Sequence, residues 1–315
     1  MDFCFYRLRL SYRVRGGAID WPVGKSGNRI RGALGNALHG LACVAECVDA
    51  RECPQGVGCL YRRIFAPVMG RDEGPSGLGD PPRPFVLRAA HLDGQRTPAG
   101  GRFAFGLHVF DRRETVVATL LLAARELGGD VELEGVDALD LAGQSEGMLF
   151  RQGIFTGQAP KPQRITLEAW ERKVTGVEIA FRTPTEVKGW EDPARPGFAE
   201  LVARIRDRVS ALRGFYGEGP LEIDFRGLVE RAREVRLVEA RMKPVGAFRR
   251  SGRSGQVHGV GGWVGVARYE GELREFMPYL EAGQWTGVGR QTVWGKGEMA
   301  VREWEGVGAS GTAAD

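Results

Sequence analysis

The sequence predicts an α+β protein in which one β-α-β-β-α-β unit is followed by a second unit of the same order. The chain has 315 residues, which is enough for two domains that each bury a core. It opens on apolar residues in period-two alternation, which is typical of a strand, and the segments that follow give the same element order twice. That order is the ferredoxin-like one, so we predict two tandem ferredoxin-like domains.

The first predicted unit begins with the alternating strand at residues 3–12. Its other predicted elements are a helix over 29–42, strands over 85–90 and 102–110, a helix over 112–127 and a strand over 131–141. The second helix stops at Gly128-Gly129, as expected of a helix C-terminus. We place the domain at residues 1–156, with a cysteine-rich loop inside it and a polar linker over 157–173 after it.

The second predicted unit carries the glycine-rich part of the chain. Its predicted elements are strands over 174–182, 235–242, 261–269 and 293–303 and helices over 198–212 and 272–280. The two units share element order without obvious sequence similarity. We place the second domain at residues 174–305 and predict that the small, polar segment 306–315 is a disordered tail.

Four glycines near the end of the chain stand in G-x-G-x5-G-x-G spacing, beside two cations. They are Gly287, Gly289, Gly295 and Gly297, with Arg290 and Lys296 between them. Glycine tolerates positive φ and close backbone approach, so such a loop can point amide groups at phosphates. A nucleotide-hydrolase loop is excluded, because Lys296 is followed by Gly297 where that motif needs Ser or Thr.

A basic segment precedes this glycine-rich loop. Its candidate RNA-binding residues are Lys243, Arg249, Arg250 and Arg253, and no acidic residue lies among them. The alternatives are a solvated loop and a contact with an RNA backbone. The RNA contact is favoured because the segment lies just ahead of the glycine-rich loop.

The sequence resembles a known family in three stretches. They are Arg29-Ile-Arg-Gly-Ala-Leu-Gly-Asn-Ala-Leu, Cys59-Leu-Tyr-Arg-Arg-Ile-Phe, and the run from Arg250 through the glycine-rich loop. Over most of residues 28–303 the chain is similar to the CRISPR-associated endoribonuclease of the RAMP superfamily that processes precursor crRNA. The resemblance implies RAMP/RRM-like domains with RNA crossing their surface. Lys296 departs from the family, which usually has an apolar residue there.

The resemblance implies metal-independent cleavage of CRISPR repeat RNA, giving a 2′,3′-cyclic phosphate and a 5′-hydroxyl, with no cofactor for catalysis. The expected partners are repeat RNA or crRNA and a CRISPR effector complex. The alternative is a non-catalytic RNA-binding RAMP subunit of such a complex. A metal-dependent nuclease that uses the cysteines is a third, weaker reading, because all-thiolate sites are normally closed and structural.

Metal-free cleavage of RNA needs a general base, a general acid and a cation, and histidine suits the first two roles. The chain has four histidines. His39 is a candidate because the resemblance places a catalytic histidine at the first helix, and His258 because it lies among cations. His91 is predicted to lie in a turn, and His108 is predicted to lie on a face of a sheet.

Four of the five cysteines fall within 17 residues, at Cys43, Cys47, Cys53 and Cys59. Their gaps are wider than those of common zinc motifs. The alternatives are unligated thiols and a metal site, with structural zinc favoured over an iron–sulfur cluster. The chain has no apolar run of about 20 residues and no signal-peptide pattern at its start, so we expect a cytoplasmic protein without membrane contact.

Overall fold

The computed structural model describes residues 1–47, 49–50, 52–69, 80–246, 248–250, 257–259 and 261–304, with only the backbone for 248–250 and 257–259. The elements of the first half are β1 (Asp2–Val14), β2 (Ile19–Asp20), α1 (Ser26–Ala42), α2 (Leu60–Phe65), β3 (Phe85–Arg88), β4 (Arg96–Thr97), β5 (Arg102–Val109), α3 (Glu114–Arg125), β6 (Val131–Leu139), β7 (Ser145–Arg151), β8 (Ile154–Phe155) and β9 (Gln163–Thr166). Those of the second half are β10 (Gly176–Thr185), α4 (Phe198–Tyr216), α5 (Phe225–Ala232), β11 (Arg236–Val245), β12 (Phe248–Arg250), β13 (Val257–Gly259), β14 (Gly262–Glu270), α6 (Met277–Thr286) and β15 (Met299–Glu303).

Both halves have the predicted ferredoxin-like topology. The first sheet runs β3-β5-β1-β6-β7-β8, and the second runs β11-β14-β10-β15. In each half the first strand is central and its neighbours are antiparallel to it. This is the strand order of a β-α-β-β-α-β unit, so the predicted fold class is confirmed.

The segment predicted as a linker, residues 157–173, contains strand β9. This strand pairs with the start of β1, in the register Phe3 to Ile165. Alternating residues of β9 are buried, because Gln163 and Ile165 face the protein while their neighbours are exposed. The segment therefore extends the first sheet as well as leading to the second.

Two predicted boundaries near the glycine-rich loop differ from the structure. The last helix begins at Met277 rather than at residue 272, with Pro278 in its first turn, where a proline costs no hydrogen bond. The last strand begins at Met299 rather than at residue 293. Gly295 and Gly297 have φ of 78° and 66°, and a strand cannot run through these left-handed conformations.

The apolar cores of the two halves are continuous at one place. Phe3, Phe5 and Phe110 belong to the first half, yet they pack into the core built mainly by the second. Phe5 lies 5.6 Å from the ring of Trp285 at the end of α6. The glycine-rich loop follows α6 directly, so its position depends on this junction. None of the helices in the described ranges is both long enough and apolar enough to cross a membrane.

Candidate active site and glycine-rich loop

His39 lies one turn before the end of α1, on the exposed side of the helix. Ile30, Leu34 and Leu38 form the buried stripe of α1, which leaves the imidazole of His39 facing outward. The ring of Tyr61 meets it edge-on, with 5.2 Å between the ring centroids.

The pairing of His39 with Tyr61 follows from how α1 packs on α2. A Cβ atom on Gly35 would lie 2.7 Å from the ring of Phe65, so only glycine lets the two helices come this close. Tyr61 and Phe65 stack, with 5.8 Å between their centroids. The fold thereby holds Tyr61 beside His39 through a rigid contact.

A cavity of about 480 Å³ opens beside these two rings. Its charged and polar lining residues are His39, Cys43, Cys47, Asp49, Tyr61, Asp80 and Arg83. Arg83 Nε donates to the carbonyl oxygen of Phe65 at 2.6 Å, and burial lowers the pKa of this guanidinium. The cavity therefore brings together a histidine, a phenol and a cation within a space that can admit part of a nucleotide.

Sequence reasoning missed Arg83, which lies in the Pro-Arg-Pro segment just before β3. The second half of the protein helps to place it, because Tyr216 on α4 donates to the carbonyl oxygen of Pro82 at 2.7 Å. Nothing local marks this arginine as a site residue. Its importance depends on contacts with residues far away in the chain.

The second candidate histidine, His258, is described by its backbone alone. It lies on β13, opposite Arg249 in the β12–β13 hairpin, and Arg250 pairs with Val257. The side chains of His258, Arg249 and Arg250 are outside the description, and Arg253 lies outside the described residues altogether. Their predicted roles therefore stay predictions. Lys243 is exposed on β11, the strand that leads into this hairpin.

All four loop glycines have positive φ, between 66° and 80°, as the sequence pattern predicts. A Cβ atom on Gly289 would overlap the carbonyl oxygen of Glu186, and one on Gly297 would overlap that of Val288. The close backbone approach therefore occurs within the protein itself.

Several amides of the loop are already used by protein acceptors. Val288 N donates to Gly297 O at 3.0 Å, Arg290 N to Glu186 O at 3.0 Å and Gly297 N to Pro184 O at 3.2 Å. These amides do not form the open phosphate cradle that we expected. The loop is a rigid wedge between α1 and the second sheet, since a Cβ atom on Gly27 would lie 2.6 Å from Trp294 O.

The two cations of the loop differ in exposure. Arg290 is exposed and pairs with Glu186 at 2.9 Å. Lys296 is only 5% exposed, its Nζ has no hydrogen-bond partner among the described residues, and burial lowers its pKa. The predicted contact of Lys296 with RNA is not supported by this position, because the turn between Gly295 and Gly297 directs the side chain inward.

The end of α6 is held by cationic and imidazole donors from the first sheet. Arg88 donates to the carbonyl oxygens of Gln284 and Trp285 at 2.9 and 3.0 Å. His108 Nδ1 donates to Trp285 O at 3.0 Å. Such donors satisfy the free carbonyls of a helix C-terminus and suit its negative end. They fix the start of the glycine-rich loop against the first sheet.

His108 is buried and neutral, which confirms the prediction of a sheet-face residue. Burial, and next the nearby charge of Arg88, lower its pKa to about 3. The unfolded chain therefore binds a proton between pH 6.5 and 3 that the folded protein does not. The neutral, buried state of His108 therefore contributes fully to the stability of the folded protein above pH 6.5. This contribution is lost as the pH falls towards 3.

We predict that the unfolding free energy of His108→Gln falls less steeply than that of the wild type as the pH is lowered. Below pH 6.5 the unfolding free energy of the wild type should fall relative to the variant by about 1.4 kcal/mol per pH unit. Urea unfolding at several pH values measures this difference. His91→Gln is the control, because His91 is exposed, and it should follow the wild type. Parallel pH profiles for all three proteins would contradict the assignment.

A groove of about 390 Å³ lies between the two sheets. Its lining includes the arginines Arg7, Arg9, Arg88 and Arg182, the histidines His91 and His108, and the carboxylate of Glu298. Arg7 donates to the carbonyl oxygens of Asp140 and Leu141, and its guanidinium lies 4.8 Å from the centre of the Trp285 ring. Arg9 pairs with Asp137 at 3.0 Å and Arg182 with Glu298 at 4.0 Å, whereas Arg7 and Arg88 donate to carbonyls, which carry no full charge. The positive charge of the groove therefore comes mainly from Arg7 and Arg88.

The four clustered cysteines all lie near the ends of α1 and α2. Cys43 follows α1 directly, and Cys59 directly precedes α2. All are free thiols, and burial together with the neighbouring sulfurs raises the pKa of Cys43 to about 11. Within the described part of the chain, no three or more histidine, cysteine, aspartate or glutamate side chains are grouped so that they could hold a metal ion.

Comparison with known proteins gives a match in each half. Residues 179–299 match the family model of the CRISPR-associated endoribonuclease Cas6, and residues 3–152 match a model described as an N-terminal domain. None of the curated proteins compared with the chain gives a significant match.

Solved structures share the fold at low sequence identity. Cas6 of Thermus thermophilus is 16% identical, with a TM-score of 0.51 over 95% of this chain and 98% of that one. A chain of a partial Cas6-RT-Cas1–Cas2 complex is 11% identical, with a TM-score of 0.57 over 96% of this chain and 46% of that one. Residues 179–299 are thus similar to the Cas6 endoribonuclease family, and the chain has the fold of solved Cas6 structures.

Proposed function

We propose that the protein cleaves CRISPR repeat RNA without a catalytic metal ion, by attack of a 2′-hydroxyl on the adjacent phosphorus. The observation that carries this proposal is the exposed His39 ring in an open cavity beside Tyr61 and Arg83. The products are a 2′,3′-cyclic phosphate and a 5′-hydroxyl. We propose that the reaction takes place in the cytoplasm.

The step needs two proton transfers. A base takes the 2′-hydroxyl proton, the 2′-oxygen bonds to phosphorus, the bond from phosphorus to the 5′-oxygen breaks, and an acid protonates that oxygen. His39 fills one of these two roles, since imidazole can serve as either base or acid near neutral pH. Arg83 lines the same cavity and is suited to stabilise the negative charge that builds up on the phosphate oxygens.

The RNA is proposed to reach the cavity over basic surfaces of both halves. Arg7 in the groove and the exposed Lys243 on β11 offer phosphate contacts, and Arg249 remains a candidate. The glycine-rich loop supports this surface by fixing the second sheet against α1. Membership in a larger CRISPR complex is part of the proposal, since one structural neighbour comes from such an assembly.

Cleavage of repeat RNA in magnesium-free buffer with EDTA tests the proposal. We expect cleavage at the same rate as with magnesium, and a product whose 3′ end resists a phosphatase until acid opens the cyclic phosphate. A requirement for added metal would overturn the mechanism. Binding without any cleavage would favour the non-catalytic RNA-binding subunit.

A further inference from the structure

Tyr216, the last residue of α4, contacts two of the segments that line the His39 cavity, although it is not itself among the lining residues. Its hydroxyl donates to the carbonyl oxygen of Pro82 at 2.7 Å, and the guanidinium of Arg63 on α2 lies 5.2 Å from the centre of its ring. Tyr216 is only 7% exposed, and burial raises the pKa of its hydroxyl. The hydroxyl therefore stays protonated near neutral pH and keeps its role as a donor.

Arg83 is surrounded by prolines, two before it and one after it. Proline has no N–H group, so this stretch is held mainly through its carbonyl oxygens. The carbonyl of Pro82 accepts from Tyr216, and that of Pro84 accepts from the amide of Phe110 at 2.7 Å. These two hydrogen bonds fix the backbone on either side of Arg83.

The fixed arginine in turn holds the end of α2. Arg83 Nε donates to the carbonyl oxygen of Phe65 at 2.6 Å, which satisfies a carbonyl of the last helical turn. Arg63, also on α2, donates to the carboxylate of Asp111, which is completely buried. Since α2 carries Tyr61, the cation and the phenol of the cavity are braced against each other.

Helix α4 is a firm support for Tyr216. Most of its 19 residues are buried, and Arg208 on the same helix donates to the carbonyl oxygen of Thr286 at 3.0 Å, where the glycine-rich loop begins. Side chains on packed helices are held more precisely than those on loops. The second half of the protein thus reaches the His39 cavity through a rigid element.

We propose that Tyr216 is a positioning residue for RNA cleavage, which acts by holding Arg83 where its guanidinium meets the phosphate. This inference rests on the proposed function. A cation stabilises the charge of the transition state best when it is already in place before the reaction. Without the hydroxyl, the stretch before Arg83 loses its anchor on α4, and a displacement of about 1 Å can lower a rate by about 10²-fold.

Tyr216→Phe tests the proposal, because it keeps the ring beside Arg63 and removes only the hydroxyl. We expect single-turnover cleavage at saturating RNA to slow by a factor of about 10 to 10², with unchanged affinity for the RNA. Tyr269→Phe is the matched control. Tyr269 is also a buried tyrosine of the second half, and its hydroxyl donates to the carbonyl oxygen of Pro196 at 2.9 Å. This control should cleave like wild type, and equal rates for the two variants would overturn the inference.

A double variant shows whether Tyr216 acts through Arg83. Arg83→Ala should itself slow cleavage, and adding Tyr216→Phe to it should slow cleavage no further, because the group being positioned is already gone. Two effects that multiply would contradict the proposed route.

Hydrogen exchange of the Arg83 Nε–H gives a readout that does not depend on cleavage. Its NMR signal in ¹⁵N-labelled protein is identified by its loss in Arg83→Lys. We expect this proton to exchange about tenfold faster or more in Tyr216→Phe than in wild type, and at the wild-type rate in Tyr269→Phe. Unchanged exchange in Tyr216→Phe would overturn the inference. If wild type cuts no repeat RNA, the proposed function falls, while this exchange still shows whether Tyr216 positions Arg83.

Discussion

His39→Ala is expected to slow single-turnover cleavage of repeat RNA by a factor of about 10² to 10⁴, the usual contribution of a general acid or base. His39 is exposed in the cavity and contacts Tyr61 through its ring. Its removal takes away a proton-transfer group without disturbing the core of α1. Affinity for the repeat RNA, measured separately by titration, should change little.

His91→Ala is the control for this experiment. His91 is also exposed, and its Nε2 lies 2.9 Å from the carbonyl oxygen of Ala104. It lines the groove between the sheets and lies outside the His39 cavity, so cleavage by this variant should match that of wild type once RNA is saturating. Equal rates for His39→Ala and wild type would exclude His39 and return His258 as the candidate.

Gly289→Ala is expected to destabilise the protein by about 2 to 5 kcal/mol. A left-handed conformation costs a non-glycine residue about 1–2 kcal/mol, and an overpacked site adds about 1–3 kcal/mol. Both apply here, because φ is 80° and the new Cβ would overlap the carbonyl oxygen of Glu186. Urea unfolding measures the change in free energy.

Gly24→Ala separates the two causes. Gly24 has φ of 70°, but a Cβ atom there would meet no atom within 4 Å. We therefore expect only the conformational cost of about 1–2 kcal/mol. Equal losses for the two variants would show that the close approach to Glu186 costs nothing. The glycine-rich loop would then not be the rigid wedge described above.

Most of the fold could be predicted because the apolar residues of each half recur with the period of a strand or of a helix. The alternation in β1 and the apolar stripe of α1 both lie in the sequence itself. The boundaries that were missed depend on backbone conformations. Val293 and Trp294 look like strand residues, yet they form a 3₁₀ turn between Gln291 and Gly295, both left-handed. The pairing of β9 with β1 depends on a partner more than 150 residues away, which no local pattern shows.

The candidate site was predictable only in part. The glycine spacing correctly indicates positive φ, but spacing cannot show that the amides are used within the protein. A lysine in a glycine-rich loop is expected to be exposed, and nothing in the local sequence shows that Lys296 is buried. Arg83 and the groove of arginines were missed because their positions follow from tertiary contacts between distant segments.

Single-turnover cleavage of a repeat RNA with one 2′-deoxy nucleotide at the scissile position tests the central claim most directly. Attack by the 2′-hydroxyl requires that group, whereas attack by a water molecule does not. The account predicts that wild type binds this RNA with normal affinity and leaves it uncut, while the all-ribose RNA is cut in the same buffer. Cleavage of the 2′-deoxy RNA at the same bond and a similar rate would contradict the account.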